Sequence, residues 1–303
     1  MNSRSCGSHI HIVAWPVPLS RASVRHVFSA LAATAMSRLR SHYPGPMLIL
    51  LPPSEGKSFP TTGSPVALSS LSHPELSDAH RRVGDALVRV SKTRGALATL
   101  GVGASLEDEV RHNITLWENM SAPAATVYAG VLYGAAQAAS WDARMQARAH
   151  ERVRIVSALW GAISPTDKIP AYRLSMTASM PRLGSLSSLW RRQLDAVLRP
   201  LAGDGVVVDC RSSAYATMWS TIDAPWVAVR VLRDRDGTRS VVSHMAKHAR
   251  GLLTAHLLTL EAAPQTPSDV ADAAATMIGT HLVDLSLIAS ARGAHELTLV
   301  IGA

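Results

Sequence analysis

Apolar runs and helical stripes alternate along residues 47–303. Met47-Leu-Ile-Leu-Leu51 is uninterrupted, the signature of a strand covered on both faces. Val153 to Trp160 and Val206-Val-Val-Asp-Cys210 read the same way, and Leu297-Thr-Leu-Val-Ile301 predicts a strand near the end of the chain. Trp226 to Leu232 and Arg239 to Val242 flank an Asp236-Gly237 pair, which predicts a hairpin. Leu76, Ala79, Val83, Leu87 and Val90 recur at helical spacing behind Ser72-His-Pro-Glu75, a capping-box pattern. Leu186, Leu189, Trp190, Leu194 and Val197 form a second stripe, and Pro200 is expected to stop that helix. An Ala/Arg-rich helix is expected near 136–150, and Trp117 and Met120 are expected in the core. Ser243 opens a helix reaching about Leu260, with Met245, Ala249, Leu252, Leu253, His256 and Leu260 on one stripe and Lys247, Arg250 and Thr254 opposite. Thr266-Pro-Ser-Asp269 caps another. Strands interleaved with helices predict an α/β (mixed α+β) class: one compact domain over 47–303, its mixed β-sheet surrounded by helices.

Composition narrows this picture. With 303 residues, 47% hydrophobic and 17% charged, the chain can bury roughly three quarters of its unfolded surface in one large domain. The net charge of +8 is unevenly placed. Residues 1–46 hold five arginines and no Asp, Glu or Lys, so +3 remains for the rest. That Ser/Ala/Arg-rich stretch lacks the apolar core and cleavage site of a secretory signal, and reads as a disordered or mis-assigned extension. Two cysteines, Cys6 and Cys210, exclude a disulfide framework or a cysteine metal cage and fit a reducing cytoplasm. No apolar run reaches the roughly 18–20 residues that span a bilayer, so no membrane partner is expected.

Candidate chemistry collects where strands end. Pro52-Pro-Ser-Glu-Gly-Lys-Ser58 follows the first strand, but a phosphate loop needs glycine where Leu51 stands, and two prolines remove donors. Lys57 is retained as an anion contact. Val153 to Trp160 delivers a proline-stiffened loop carrying Asp167, Lys168, Tyr172 and Arg173; the Val206 strand delivers Arg211-Ser-Ser-Ala-Tyr215. Lys57, Lys168, Arg173, Arg211, Lys247 and Arg250 thus all sit at strand ends or on a helix just after one, where α/β sheets bind ligands. They form a candidate DNA- or anion-binding set; ion pairs with Glu55, Asp167 and Asp209 are the competing arrangement. Asp209, Ser212, Tyr215, His244 and Lys247 form a candidate catalytic set for an enzyme acting on a small phosphate- or carboxylate-bearing substrate. His244 and His248 have the spacing of a zinc pair, but Met245 stands where a zinc protease has glutamate. No metal site and no cofactor are read.

Several motifs in order carry a resemblance. They are Leu51-Pro-Pro-Ser-Glu-Gly-Lys57, Val127-Tyr-Ala-Gly130, Ser157-Ala-Leu-Trp-Gly161 with Pro165-Thr-Asp167 and Tyr172-Arg-Leu-Ser-Met176, Val206-Val-Val-Asp209 with Ser212 and Tyr215, and Ser243 with Ala246-Lys-His-Ala-Arg-Gly251. From Met47 to about Ile301 the chain resembles the YaaA family of bacterial peroxide-stress proteins. The resemblance implies a cytoplasmic protein protecting cells under hydrogen-peroxide stress, with lower free iron and less oxidative DNA damage. It also implies a positively charged cleft, binding of double-stranded DNA through its phosphates, and a helix-hairpin-helix-like element, onto which the Leu159-Trp160-Gly161 turn is mapped.

Overall fold

The computed structural model describes residues 45–220, 224–289 and 294–302. The extension expected over 1–46 falls almost wholly outside them. Gly45 and Pro46 belong to the domain: a side chain at Gly205 would stand 2.4 Å from the carbonyl oxygens of both.

The sheet is built on β1 (Leu48–Leu51), whose four side chains are all buried. β2 (Ala122–Pro123) makes a separate two-residue ladder with β5 (Lys168–Ile169). β3 (Val153–Ser157), β4 (Gly161–Ile163), β6 (Val207–Asp209), β7 (Trp226–Arg235), β8 (Thr238–Val241), β9 (Asp284–Ala289) and β10 (Ala294–Ile301) complete the main sheet. Its order is β4-β3-β1-β6-β7-β10-β9, with β8 paired to β7. β3, β1, β6, β7 and β10 run parallel; β4, β8 and β9 are antiparallel to their neighbours. The parallel centre explains the continuous apolar runs, since both faces of these strands are covered.

The longest helices among the described residues are α1 (Ser77–Ser91), α2 (Ala143–Arg152), α3 (Leu186–Ala202), α4 (His244–Thr259) and α5 (Pro267–Ala275). Asp142 and Ser185 cap α2 and α3 through their side chains, and Thr266 with Asp269 forms the full capping box of α5. α1 begins differently from expectation. Ser72 does not cap it; its N–H and hydroxyl both donate to Asp167 Oδ1, at 3.0 and 2.8 Å. α3 runs through Pro200 to Ala202, because a proline in the last turn removes few helical bonds and Gly203, at φ +48°, makes the turn. Met120 is 39% exposed rather than core, while Trp117 packs half-buried on α1. The expected polar flank of α4 is partly internal. Thr254 is buried, and Gly251 lies so close to the short helix Val131–Ala135 that a Cβ would stand 2.2 Å from the Leu132 carbonyl.

The Leu159-Trp160-Gly161 turn joins two antiparallel strands, β3 and β4, not two helices. Ala158, Leu159 and Trp160 are fully buried, so this turn offers no backbone N–H groups to a phosphate, and the helix-hairpin-helix assignment does not hold here. Gly161 takes φ +59° with the Trp190 ring 2.5 Å from where a Cβ would be; the tight reversal is what glycine permits.

Candidate functional site

β1 has β3 on one flank and β6 on the other. The chain therefore changes direction across the sheet at β1, and in open α/β sheets the crevice at such a switch, outside the carboxyl ends of the strands, is where ligands bind. The first loop leaves β1 there and is clamped from one side. Ser58 N–H donates to the Val127 carbonyl (2.8 Å), Ala129 N–H to the Gly56 carbonyl (3.2 Å), and the Tyr133 hydroxyl to the Pro52 carbonyl (2.7 Å). Gly130 is needed for this approach, because a Cβ would fall 2.1 Å from Ser54 Oγ.

Between this loop, the residues after β6, the β7–β8 arm and α4 opens a cleft of about 590 Å³. Pro52, Val131 and Val242 give it apolar walls; Ser212, Lys247 and Arg250 are among its polar groups. Tyr215 lines it with 6% of its surface exposed, and its buried hydroxyl, close to the Met176 backbone, completes no hydrogen bond of good geometry.

The structure separates the six candidate cations. Lys247 and Arg250 share the cleft; Arg250 is braced by two bonds to the Val229 carbonyl, 3.2 and 2.7 Å. Arg211 is withdrawn. Its buried guanidinium grips the Asp209 carboxylate in a fork at 2.8 and 2.9 Å and donates onward to the Tyr215 and Trp219 carbonyls. Arg173 is held between Glu55 (3.6 Å) and Glu109 (3.2 Å). Lys168 is exposed on β5, outside the cleft lining. Lys57 turns inward: Nζ donates to the Ser54 carbonyl at 2.7 Å and lies 4.3 Å above the Tyr172 ring. Loss of hydration lowers its pKa to about 8, against a partial opposing pull from Glu55.

Of the candidate catalytic set, Ser212, Tyr215 and Lys247 meet in the cleft. Asp209 is tied to Arg211, and His244 is exposed at the start of α4, outside the lining. Burial pushes the Cys210 thiol up to about 12, which removes it as a nucleophile. Among the described residues no group of three His, Cys, Asp or Glu side chains is arranged to hold a metal ion, and no helix is long and apolar enough to cross a membrane.

The feature that sequence reasoning missed is aromatic. Four of the chain's five tyrosines gather behind the first loop: Tyr128 and Tyr172 bring their hydroxyls to 2.9 Å, Tyr133 packs 5.1 Å from Tyr128, and Tyr215 stands beside them. Burial raises all four pKa values, so these phenols stay protonated. The signal was present in Val127-Tyr-Ala-Gly-Val-Leu-Tyr133, where the tyrosines passed as part of an apolar run.

Fold and site together define an open-sheet α/β protein with a mixed cationic and apolar cleft at its strand ends. The family model described as peroxide stress protein YaaA matches residues 47–276. A UPF0246 protein of Streptomyces coelicolor is 41% identical over 232 residues, covering 75% of this chain and 88% of that protein. A UPF0246 protein of Corynebacterium glutamicum is 36% identical over 228 residues, 74% of this chain and 90% of its own length. One from Phenylobacterium zucineum is 28% identical over 222 residues, 70% and 82%. The chain belongs to the peroxide stress protein YaaA family.

Proposed function

We propose that the chain serves peroxide-stress protection by holding a small phosphate- or carboxylate-bearing molecule in the strand-end cleft. The observation that carries this reading is convergence: Lys247, Arg250, Ser212 and Tyr215 meet in about 590 Å³, within the size range of small-molecule sites, while the other candidate cations point elsewhere. The two cations suit an anionic group, and the Pro52 and Val131 walls suit the body attached to it. If the ligand is turned over, the protein is an enzyme, with Ser212 and Tyr215 the groups nearest its chemistry. Calorimetric titration with inorganic phosphate, nucleoside monophosphates and dicarboxylates tests this. Lys247→Ala should weaken the best binder by about tenfold, or 1.4 kcal/mol. Absence of binding by every probe at millimolar concentration rejects the proposal.

A second reading is binding to the phosphate backbone of double-stranded DNA, limiting iron-driven oxidative damage there. It is favoured by the exposure of Lys247 at the cleft and of Arg235 on the β7–β8 arm. Anisotropy titrations of a short duplex should then show steep salt dependence, the slope falling by about one for each contact removed. No affinity at low salt would end this reading.

A further inference from the structure

The chain carries seven tryptophans, five tyrosines and two phenylalanines. Phenylalanine would pack a core equally well, yet the described one, Phe59, is 44% exposed, and the buried rings are of the oxidisable kinds. They are also contiguous. Tyr133 lines the cleft and lies 5.1 Å, ring centre to ring centre, from Tyr128. The Tyr128 and Tyr172 hydroxyls are 2.9 Å apart. Tyr172 meets Trp160 edge-on at 6.2 Å, and Trp160 meets Trp117 edge-on at 6.3 Å. Trp117 is half-buried over Gly84 of α1, whose missing Cβ leaves room for the indole, with the Arg81 guanidinium 4.2 Å above it.

We propose that this file of rings conducts one-electron oxidising equivalents from the cleft to Trp117 at the surface. The two tryptophans differ in the way such a path needs. Trp160 Nε1–H is buried with no acceptor, so an oxidised Trp160 cannot release its proton and draws an electron from the next ring. Trp117 Nε1–H donates to the Asp85 carboxylate at 2.8 Å, so its proton has a base to follow. The Arg81 charge opposes a lasting positive charge on that indole and favours the proton's departure. Electrons and protons balance along the file. A one-electron oxidant of the radical or high-valent-metal class in the cleft gains one electron. Tyr133, Tyr128, Tyr172 and Trp160 each give one electron and regain one; the Tyr133 hydroxyl faces only the Pro52 carbonyl and the Tyr128 and Tyr172 hydroxyls face each other, so each O–H keeps its proton and none is released before Trp117. Trp117 ends one electron short, a neutral radical, with its proton on Asp85.

The test uses the full chain with Cys6→Ser and Ser243→Cys, the latter at the cleft, labelled with a thiol-reactive ruthenium polypyridyl photo-oxidant; Cys210 is fully buried. Flash-quench oxidation should yield the absorption and paramagnetic resonance of a neutral indole radical. Trp117→Phe should abolish it, Asp85→Asn should replace it with a longer-lived radical cation, and Trp160→Phe should reduce the yield to a trace. Should Trp160→Phe fail to fold, Tyr172→Phe, which deletes a single hydroxyl, carries the same decision. An undiminished Trp117 radical in Tyr172→Phe or a folded Trp160→Phe overturns the proposal, as does a radical on another tryptophan or none at all.

Discussion

Lys57 provides the sharpest quantitative test of the site. It sits under the first loop with its ammonium against two tyrosine rings and the Ser54 carbonyl, and desolvation lowers its pKa from 10.5 to about 8. The unfolded chain keeps this proton up to its ordinary pKa, whereas the folded chain releases it above about 8. Between those values the unfolded state binds more protons, so stability rises with pH. A tenfold difference in proton affinity corresponds to about 1.36 kcal/mol, and integrating from about pH 7 to about pH 9.5 gives a rise of about 2 kcal/mol. Lys57→Met removes the titration and keeps most of the length. Other alkaline titrations, including those of the buried tyrosines, are common to both proteins and cancel in the difference. Urea denaturation at steps across that range should therefore show wild type gaining about 2 kcal/mol on Lys57→Met. A difference flat to within about 0.5 kcal/mol would refute the claim that this amine is desolvated.

Other predictions concern the frame around the cleft. His80 is buried, bonded to the Trp160 carbonyl at 2.9 Å, and held near pKa 4 by desolvation. Its contribution is full above its ordinary 6.5 and is lost as pH falls toward 4, by up to about 3 kcal/mol; His80→Gln should flatten most of that acid slope. Arg211→Met leaves the Asp209 carboxylate buried and unpaired and should cost about 3–5 kcal/mol, with part recovered by adding Asp209→Asn. A cost near zero in urea melts would return Arg211 to the ligand-binding set. Gly161→Ala puts a Cβ 2.5 Å from the Trp190 ring at φ +59° and should lower stability by about 2–4 kcal/mol; an unshifted midpoint would show that the turn has room.

The strands were legible because continuous apolar runs mark cover on both faces: β1, β3 and β6 are buried at every position. The site was legible as an address and not as a direction. Arg211 and Asp209 do lie at a strand end, but they are two residues apart and close on each other, and nothing in their spacing says whether a ligand or a neighbour takes the guanidinium. Arg173 likewise answers to Glu55 and Glu109. Ser72 looked like a local cap because its tertiary acceptor, Asp167, lies 95 residues away. Thr254 looked solvated because one stripe was assumed for α4, whereas that helix is buried on more than one side.

β1 has no partner close to it in sequence. Its register sets Ile49 beside Val153 and Val208, so the strand waits for segments that emerge roughly a hundred residues or more after it, the kind of pairing that slows folding. During synthesis Leu48–Leu51 is an orphan apolar segment with both faces uncovered, and the interval before β3 and β6 arrive is when it is most open to aggregation or chaperone capture. The cleft at its carboxyl end comes into being only with that late central insertion, so a chain cut short before β6 carries the first loop without a site.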